Sequence, residues 1–133
     1  MHNLRILAMA AAAVAVTSAL SCGGSSSTTP SPGPGTTPTA TNTIVISNNT
    51  LSPQNITVAR GSQVTITNND SRVHEMDSDP HPEHTTCPEL NQIGFLNPGQ
   101  SRQSGNLNTV RTCGIHDHGD PTRASLKAAI TIQ

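Results

Sequence analysis

Aromatic residues are nearly absent from this chain of 133 residues, which has one Phe and neither Tyr nor Trp. Charged residues are also scarce, at 11%, and the formal net charge is −1. No cluster of Lys and Arg occurs, which argues against a partner among the nucleic acids. The core of any folded domain must therefore be built from Ile, Val, Leu and Ala.

A long membrane-spanning run is missing too, because the apolar residues 6–17 are too few to cross a bilayer of roughly 30 Å as a permanent helix. One positive charge precedes this run and small residues follow it. That order predicts a secretory signal peptide at residues 1–21. Export would place the rest of the chain outside the cytoplasm.

The end of the signal peptide, Ala19-Leu20-Ser21-Cys22, resembles the lipobox of bacterial lipoproteins. In that family the cysteine is lipidated and becomes the new N-terminus, although leucine is preferred where Ala19 stands. We therefore predict lipidation at Cys22 and a protein of the cell envelope, periplasmic or at the cell surface. The lipid would be its only attachment to the membrane. The alternative is a secreted protein with a free Cys22.

Residues 22–42 follow as a linker, in which nearly every residue is Gly, Ser, Thr or Pro and none is charged. Such a segment has too little to bury to offset the entropy of ordering itself. Residues 43–133 remain as one domain. A domain this small is often only marginally stable, so a bound metal or a disulfide would help it.

Within this domain, β-branched residues alternate with polar ones, as in Ile44 and Ile46, or Ile130 and Ile132. A period of two, interrupted by frequent turn signals, predicts short strands with one buried face. The predicted fold is an all-β sandwich or barrel. Residues 71–92 are polar and contain few apolar residues, which predicts a long loop after His74 of the kind that carries function.

The histidines and cysteines of the domain all lie between His74 and His118, and the tightest group is Cys113-Gly114-Ile115-His116. Their order along the chain resembles the cupredoxins, the plastocyanin and azurin group of blue copper proteins. The matching segments are Gly61-Ser62-Gln63-Val64, the Asn-rich turn from Asn68 to His74, Asn97-Pro98-Gly99, Cys113 with His116, and the closing strand after Leu126.

This resemblance implies a Greek-key sandwich of about seven to eight strands that holds one copper ion between His74, Cys113 and His116. One thiolate and two imidazoles suit copper as both Cu(I) and Cu(II). The family's axial methionine is missing, because Leu126 stands in that place. We expect Leu126 to be a non-ligand, with His118 as the alternative fourth ligand. His81 and His84 could form a secondary metal site or be solvated.

A disulfide between Cys87 and Cys113 is the competing prediction, since paired cysteines in an exported protein usually oxidise. It would remove the thiolate from copper.

Three functions therefore stay open. The first is a one-electron carrier with an unidentified redox partner protein. The second is a copper carrier or scavenger that uses exposed histidines. The third is a metal-free structural module. We expect a monomer, and no enzymatic activity, because nothing in the sequence marks a substrate pocket.

Overall fold

The computed structural model describes residues 38–133. The predicted signal peptide, Cys22 and most of the predicted linker lie outside the described residues. The helical segments within residues 38–133 are two short 3₁₀ turns, Leu90–Gln92 and Ala124–Leu126. Neither has the length or apolar character to span a membrane.

The described chain is a sandwich of two β-sheets, which confirms the predicted fold class. There are ten strands rather than seven or eight, because the sheets include several strands of two or three residues. In chain order they are β1 (Thr39–Ala40), β2 (Thr43–Ser47), β3 (Thr50–Ser52), β4 (Asn55–Val58), β5 (Thr65–Asn68), β6 (His74–Ser78), β7 (Gly94–Leu96), β8 (Ser101–Gln103), β9 (Arg111–Asp117) and β10 (Lys127–Ile132).

One sheet has six strands in the order β1-β4-β10-β9-β6-β7, and the other has four in the order β3-β2-β5-β8. Pairing is parallel between β1 and β4, β4 and β10, and β2 and β5. The other pairs are antiparallel. The two central strands of the larger sheet are therefore β10 and β9, and β9 also pairs with β6.

The core between the sheets is aliphatic, as the composition predicts. Alternate residues of the strands point inward and are almost fully buried, among them Ile44, Ile46, Ile56, Ile66 and Ile130. Burying one such side chain contributes about 1.5–3 kcal/mol. The core therefore forms without any aromatic side chain.

Two boundaries differ from the sequence prediction. Thr39 and Ala40, at the end of the predicted linker, add a short strand to the larger sheet. His74 begins β6 instead of a loop, so the polar excursion starts at Asp79. The alternation in β6 is hard to recognise because most of its residues, such as His74 and Asp77, are polar.

A disulfide between Cys87 and Cys113 ties the polar excursion to β9. Both cysteines are fully buried in the core. The loop that carries His81 and His84 is therefore fastened to the strand that carries His116.

Replacing Cys87 and Cys113 together by Ala should lower the free energy of unfolding. The cross-link spans 26 residues, for which the loop-closure model gives a loss of about 3.5 kcal/mol. Urea denaturation measures the change. As a control, the wild-type protein reduced with dithiothreitol should lose a similar amount. An unchanged free energy of unfolding in the double variant would contradict the disulfide.

Candidate metal centre

His74 is enclosed between two carboxylates. Its ring is fully buried, with Nδ1 2.7 Å from Asp117 Oδ2 and Nε2 3.0 Å from Asp70 Oδ2. Asp117 also accepts hydrogen bonds from Arg72 Nη2 and the Gly119 N–H. Each ring nitrogen of His74 therefore lies within hydrogen-bond distance of a carboxylate oxygen. Both ring nitrogens of His74 are thus engaged by neighbouring side chains.

Asp70 is held ionised by several donors. Burial opposes its charge, but hydrogen bonds from the Asn49 N–H, the His74 ring and the Asn48 N–H outweigh that effect. Together they keep the pKa of the Asp70 carboxyl below its ordinary value of 3.8. The contact between Asp70 and His74 thus closes the turn between β5 and β6.

Cys113 and His116 point to opposite faces of β9. Successive side chains of a strand alternate between its two faces, so residues three apart diverge. Since β9 continues to Asp117, Cys113 faces the core together with Ile115 and Asp117, and His116 faces outward. A Cys-x-x-His pair within one regular strand therefore does not converge on one ion.

The structure therefore departs from the predicted ligand set of His74, Cys113 and His116. Cys113 is bonded to Cys87 and offers no thiolate. In the register of β6 with β9, Met76 lies opposite Asp117 and Asp77 opposite His116. His74, two residues from Met76, shares its core face, on the other side of the sheet from His116. A copper ion bound as in the predicted centre does not fit these residues.

Leu126, at the predicted axial position, is fully buried among the core residues. It lies in the 3₁₀ turn before β10.

Four histidines instead gather on the outer face of the larger sheet. The His81 ring centroid lies 5.6 Å from those of His84 and His116 and 4.8 Å from that of His118. The His84 ring centroid lies 5.2 Å from that of His116 and 4.9 Å from that of His118. His81 and His84 come from the excursion after β6, whereas the other two come from the end of β9. The fold thus brings together two segments more than 30 residues apart in sequence.

His116 is the most constrained of the four, since only 1% of the residue is exposed. Its Nδ1 lies 2.7 Å from Asp79 Oδ1. Its buried Nε2 has no hydrogen-bond partner among the described residues. In the tautomer whose Nδ1–H donates a hydrogen bond to the Asp79 carboxylate, Nε2 carries the free lone pair. A carboxylate behind the ring is the usual support of a metal-binding histidine.

Asp79 reaches this position because residue 114 is glycine. The Asp79 N–H donates to the Gly114 carbonyl oxygen at 3.0 Å, and its carboxylate lies against the Gly114 Cα. A methyl group on residue 114 would overlap that carboxylate and lie 2.7 Å from its Cγ. The glycine therefore provides the space in which Asp79 orients His116.

Two groups of side chains in the cluster have residue types and ligand-atom spacings that are compatible with a metal site. One comprises His81, His84 and His116, and the other comprises Asp77, His84 and His118. Within each group all ligand atoms lie within 4.8 Å of one another. Two imidazole nitrogens bound to one tetrahedral ion are about 3.3 Å apart, so small side-chain movements would complete either site.

The loop that supplies two of these histidines is held by its backbone. The His84 N–H donates to the Pro80 carbonyl at 2.7 Å, and Asn91 Nδ2 donates to the His84 carbonyl at 2.9 Å. His84 has a φ of 52°, in the left-handed region. That conformation costs free energy for a non-glycine residue, and such residues cluster at functional sites.

No protein-family model matches the sequence, and no curated protein does so either. Solved structures match the fold. A purple cupredoxin from Nitrosopumilus maritimus has a TM-score of 0.56 and 20% identity over 70% of this chain and 100% of its own. Plastocyanin from Dryopteris crassirhizoma has a TM-score of 0.53 and 21% identity over 68% and 99%. A reduced amicyanin mutant has a TM-score of 0.54 and 15% identity over 75% and 95%.

The chain has the cupredoxin fold. In this structure, Asp117 occupies the core-facing position at the end of β9, beside His74. Cys113 lies four residues earlier in the same strand.

Sequence reasoning named His81, His84 and His118 only as secondary or alternative ligands, and it missed Asp77 and Asp79. One signal was present. His116 and His118 are two residues apart, a spacing that places both side chains on the same face of an extended chain. The aspartates could not be assigned, because their position depends on the pairing of β6 with β9.

Acid should remove the stabilisation that Asp70 provides. Because the pKa of Asp70 is lowered in the folded protein, its stabilisation is fully present well above pH 3.8, the ordinary pKa. This stabilisation is lost as the pH falls from 3.8 through the lower pKa of the folded state. The free energy of unfolding of wild type minus that of Asp70→Asn should therefore shrink in that range. Urea denaturation at several pH values measures it. A difference that stays constant down to pH 2 would contradict the assignment.

Proposed function

We propose that this protein binds copper through imidazole nitrogens, at the group formed by His81, His84 and His116, and serves as a copper carrier or scavenger outside the cytoplasm. The observation that carries the proposal is the buried Nε2 of His116, which has no partner among the described residues and whose ring is oriented by Asp79.

The donor set suits copper. Imidazole nitrogen binds Cu(II) more strongly than it binds the other divalent first-row metals, and three imidazoles can also hold Cu(I). His84 Nε2 lies 3.5 Å from His81 Nδ1, close to the separation of two ligands on one ion. Among the solved structures with this fold is an amicyanin described as a Cu(I) form. That description supports copper as the metal.

Exchange of the ion is favoured by the position of the cluster. His81 is exposed and belongs to a surface loop, whereas His116 is buried and fixed. An ion held by one rigid ligand and by ligands that solvent can reach is able to be passed on by stepwise replacement of those ligands. A carrier or scavenger needs this property.

One-electron transfer is the second candidate, with a redox partner protein. It is favoured by the fold, because a fern plastocyanin of the same fold is described in oxidised and reduced forms. A blue copper site has a thiolate ligand, so the visible spectrum separates that ligand set from the proposed imidazole set. Neither candidate requires catalytic turnover.

Cu(II) titration of wild type and His116→Ala tests the proposed site. Loss of the oriented ligand should weaken Cu(II) binding at least about 100-fold, in line with the large effect of even supporting residues on metal affinity. Isothermal titration calorimetry measures the affinity. The matched control is His74→Gln, which changes the other buried histidine and should leave the affinity unchanged once circular dichroism confirms folding.

The visible spectrum of the same samples distinguishes the ligand sets. We expect a weak d–d band and no intense charge-transfer band near ~600 nm, which would require a copper thiolate. An intense band that disappears in His74→Gln would restore the blue copper centre and contradict the histidine site. Failure of the wild-type protein to bind copper would leave the metal-free module stapled by Cys87 and Cys113.

The support of His116 can be tested without changing a ligand. Asp79→Asn and Gly114→Ala should each weaken Cu(II) binding about 10–100-fold, because the first removes the carboxylate and the second displaces it. Glu83→Gln is the control, since it removes one negative charge from the same exposed loop. Equal affinities in all four proteins would show that Asp79 does not position the metal ligand.

A further inference from the structure

His84 presents its two ring nitrogens to two different sets of ligands. Nε2 lies 3.5 Å from His81 Nδ1, on the side of the group with His116. Nδ1 lies 3.7 Å from Asp77 Oδ2, on the side of the group with His118. The two candidate metal groups of the described residues thus meet at one imidazole ring and use its opposite ends.

From this arrangement we propose a second metal site, formed by Asp77, His84 and His118, with the His84 ring bridging the two ions. The inference rests on the proposed function for the first ion, at His81, His84 and His116. With metal–nitrogen bonds of about 2.0–2.1 Å on each side of one ring, the two ions would be about 6 Å apart.

The second site has its own unpartnered donor. His118 Nδ1 is buried and has no hydrogen-bond partner among residues 38–133, and it lies 3.6 Å from Asp77 Oδ2. Asp77 lies opposite His116 in the pairing of β6 with β9, so its carboxylate is fixed by the sheet and not by the loop. The pairing of β6 with β9 therefore places Asp77, a ligand of the second site, next to His116, a ligand of the first.

Charge balance is consistent with two divalent ions. When His84 binds at both nitrogens, its ring proton passes to water and the ring becomes an imidazolate with one negative charge. Asp77 and Asp79 contribute two more negative charges beside the cluster. These three negative charges partly neutralise the four positive charges of the two divalent ions, and no oxidation or reduction is involved.

The ligand chemistry indicates which ion the second site takes. Two imidazole nitrogens and one carboxylate oxygen form the set that holds Zn²⁺ in many catalytic sites, and it also suits Cu²⁺. His118 has 40% of its side chain exposed. Part of the His118 ring is therefore in contact with solvent, while its ligand atom Nδ1 is buried.

The test is a titration of the protein with Cu²⁺, followed by electron paramagnetic resonance and by metal analysis after gel filtration. Wild type should bind two ions per chain. The resonance signal should grow up to one equivalent and fall towards the second, because two Cu²⁺ ions bridged by one imidazolate couple magnetically. Zn²⁺ supplied as the second ion should leave the signal of the first intact.

His118→Ala and Asp77→Asn should each bind one ion and keep its signal, and Glu83→Gln should behave as wild type. One ion per chain in the wild type would overturn the second site and leave the proposed function standing. The same conclusion would follow if His118→Ala and His116→Ala lowered the affinity for the first ion equally. Two ions with undiminished signal would overturn the bridge. No bound ion would overturn the proposed function itself.

Discussion

The continuation of β9 to Asp117 is the constraint on which the site depends. Because side chains alternate along a strand, this one feature sends Cys113, Ile115 and Asp117 into the sandwich and His116 out of it. On the core face of β9, Cys113 forms a disulfide with Cys87. On the outer face of β9, His116 lies beside the loop after β6 and forms part of the histidine cluster.

The support of that cluster lies in a few contacts. Gly114 makes room for Asp79, Asp79 orients His116, and the disulfide fastens the far end of the loop to the same strand. On the other face of the sheet, His74 is occupied by Asp70 and Asp117. The two buried histidines therefore differ: both ring nitrogens of His74 contact carboxylates, whereas Nε2 of His116 has no hydrogen-bond partner among the described residues.

The sequence allowed the fold to be predicted because the aliphatic alternation in β2, β4, β5 and β10 is regular. It also located the histidines in one region of the chain. It did not reveal where β9 ends or that His74 begins a strand, because the polar residues of β6 conceal its alternation. Without that register, Cys113 and His116 could be assigned to one site, and Asp77 and Asp79 could not be assigned at all.

Nothing in the aliphatic core or the disulfide of the described chain requires a metal ion. The histidines come from two segments that meet only when β6 has paired with β9. Metallation would therefore follow folding, and loss of the ion would leave a folded apoprotein that can be loaded again. The proposed copper protein would in this respect differ from small metal-dependent domains, which unfold when their ion is removed.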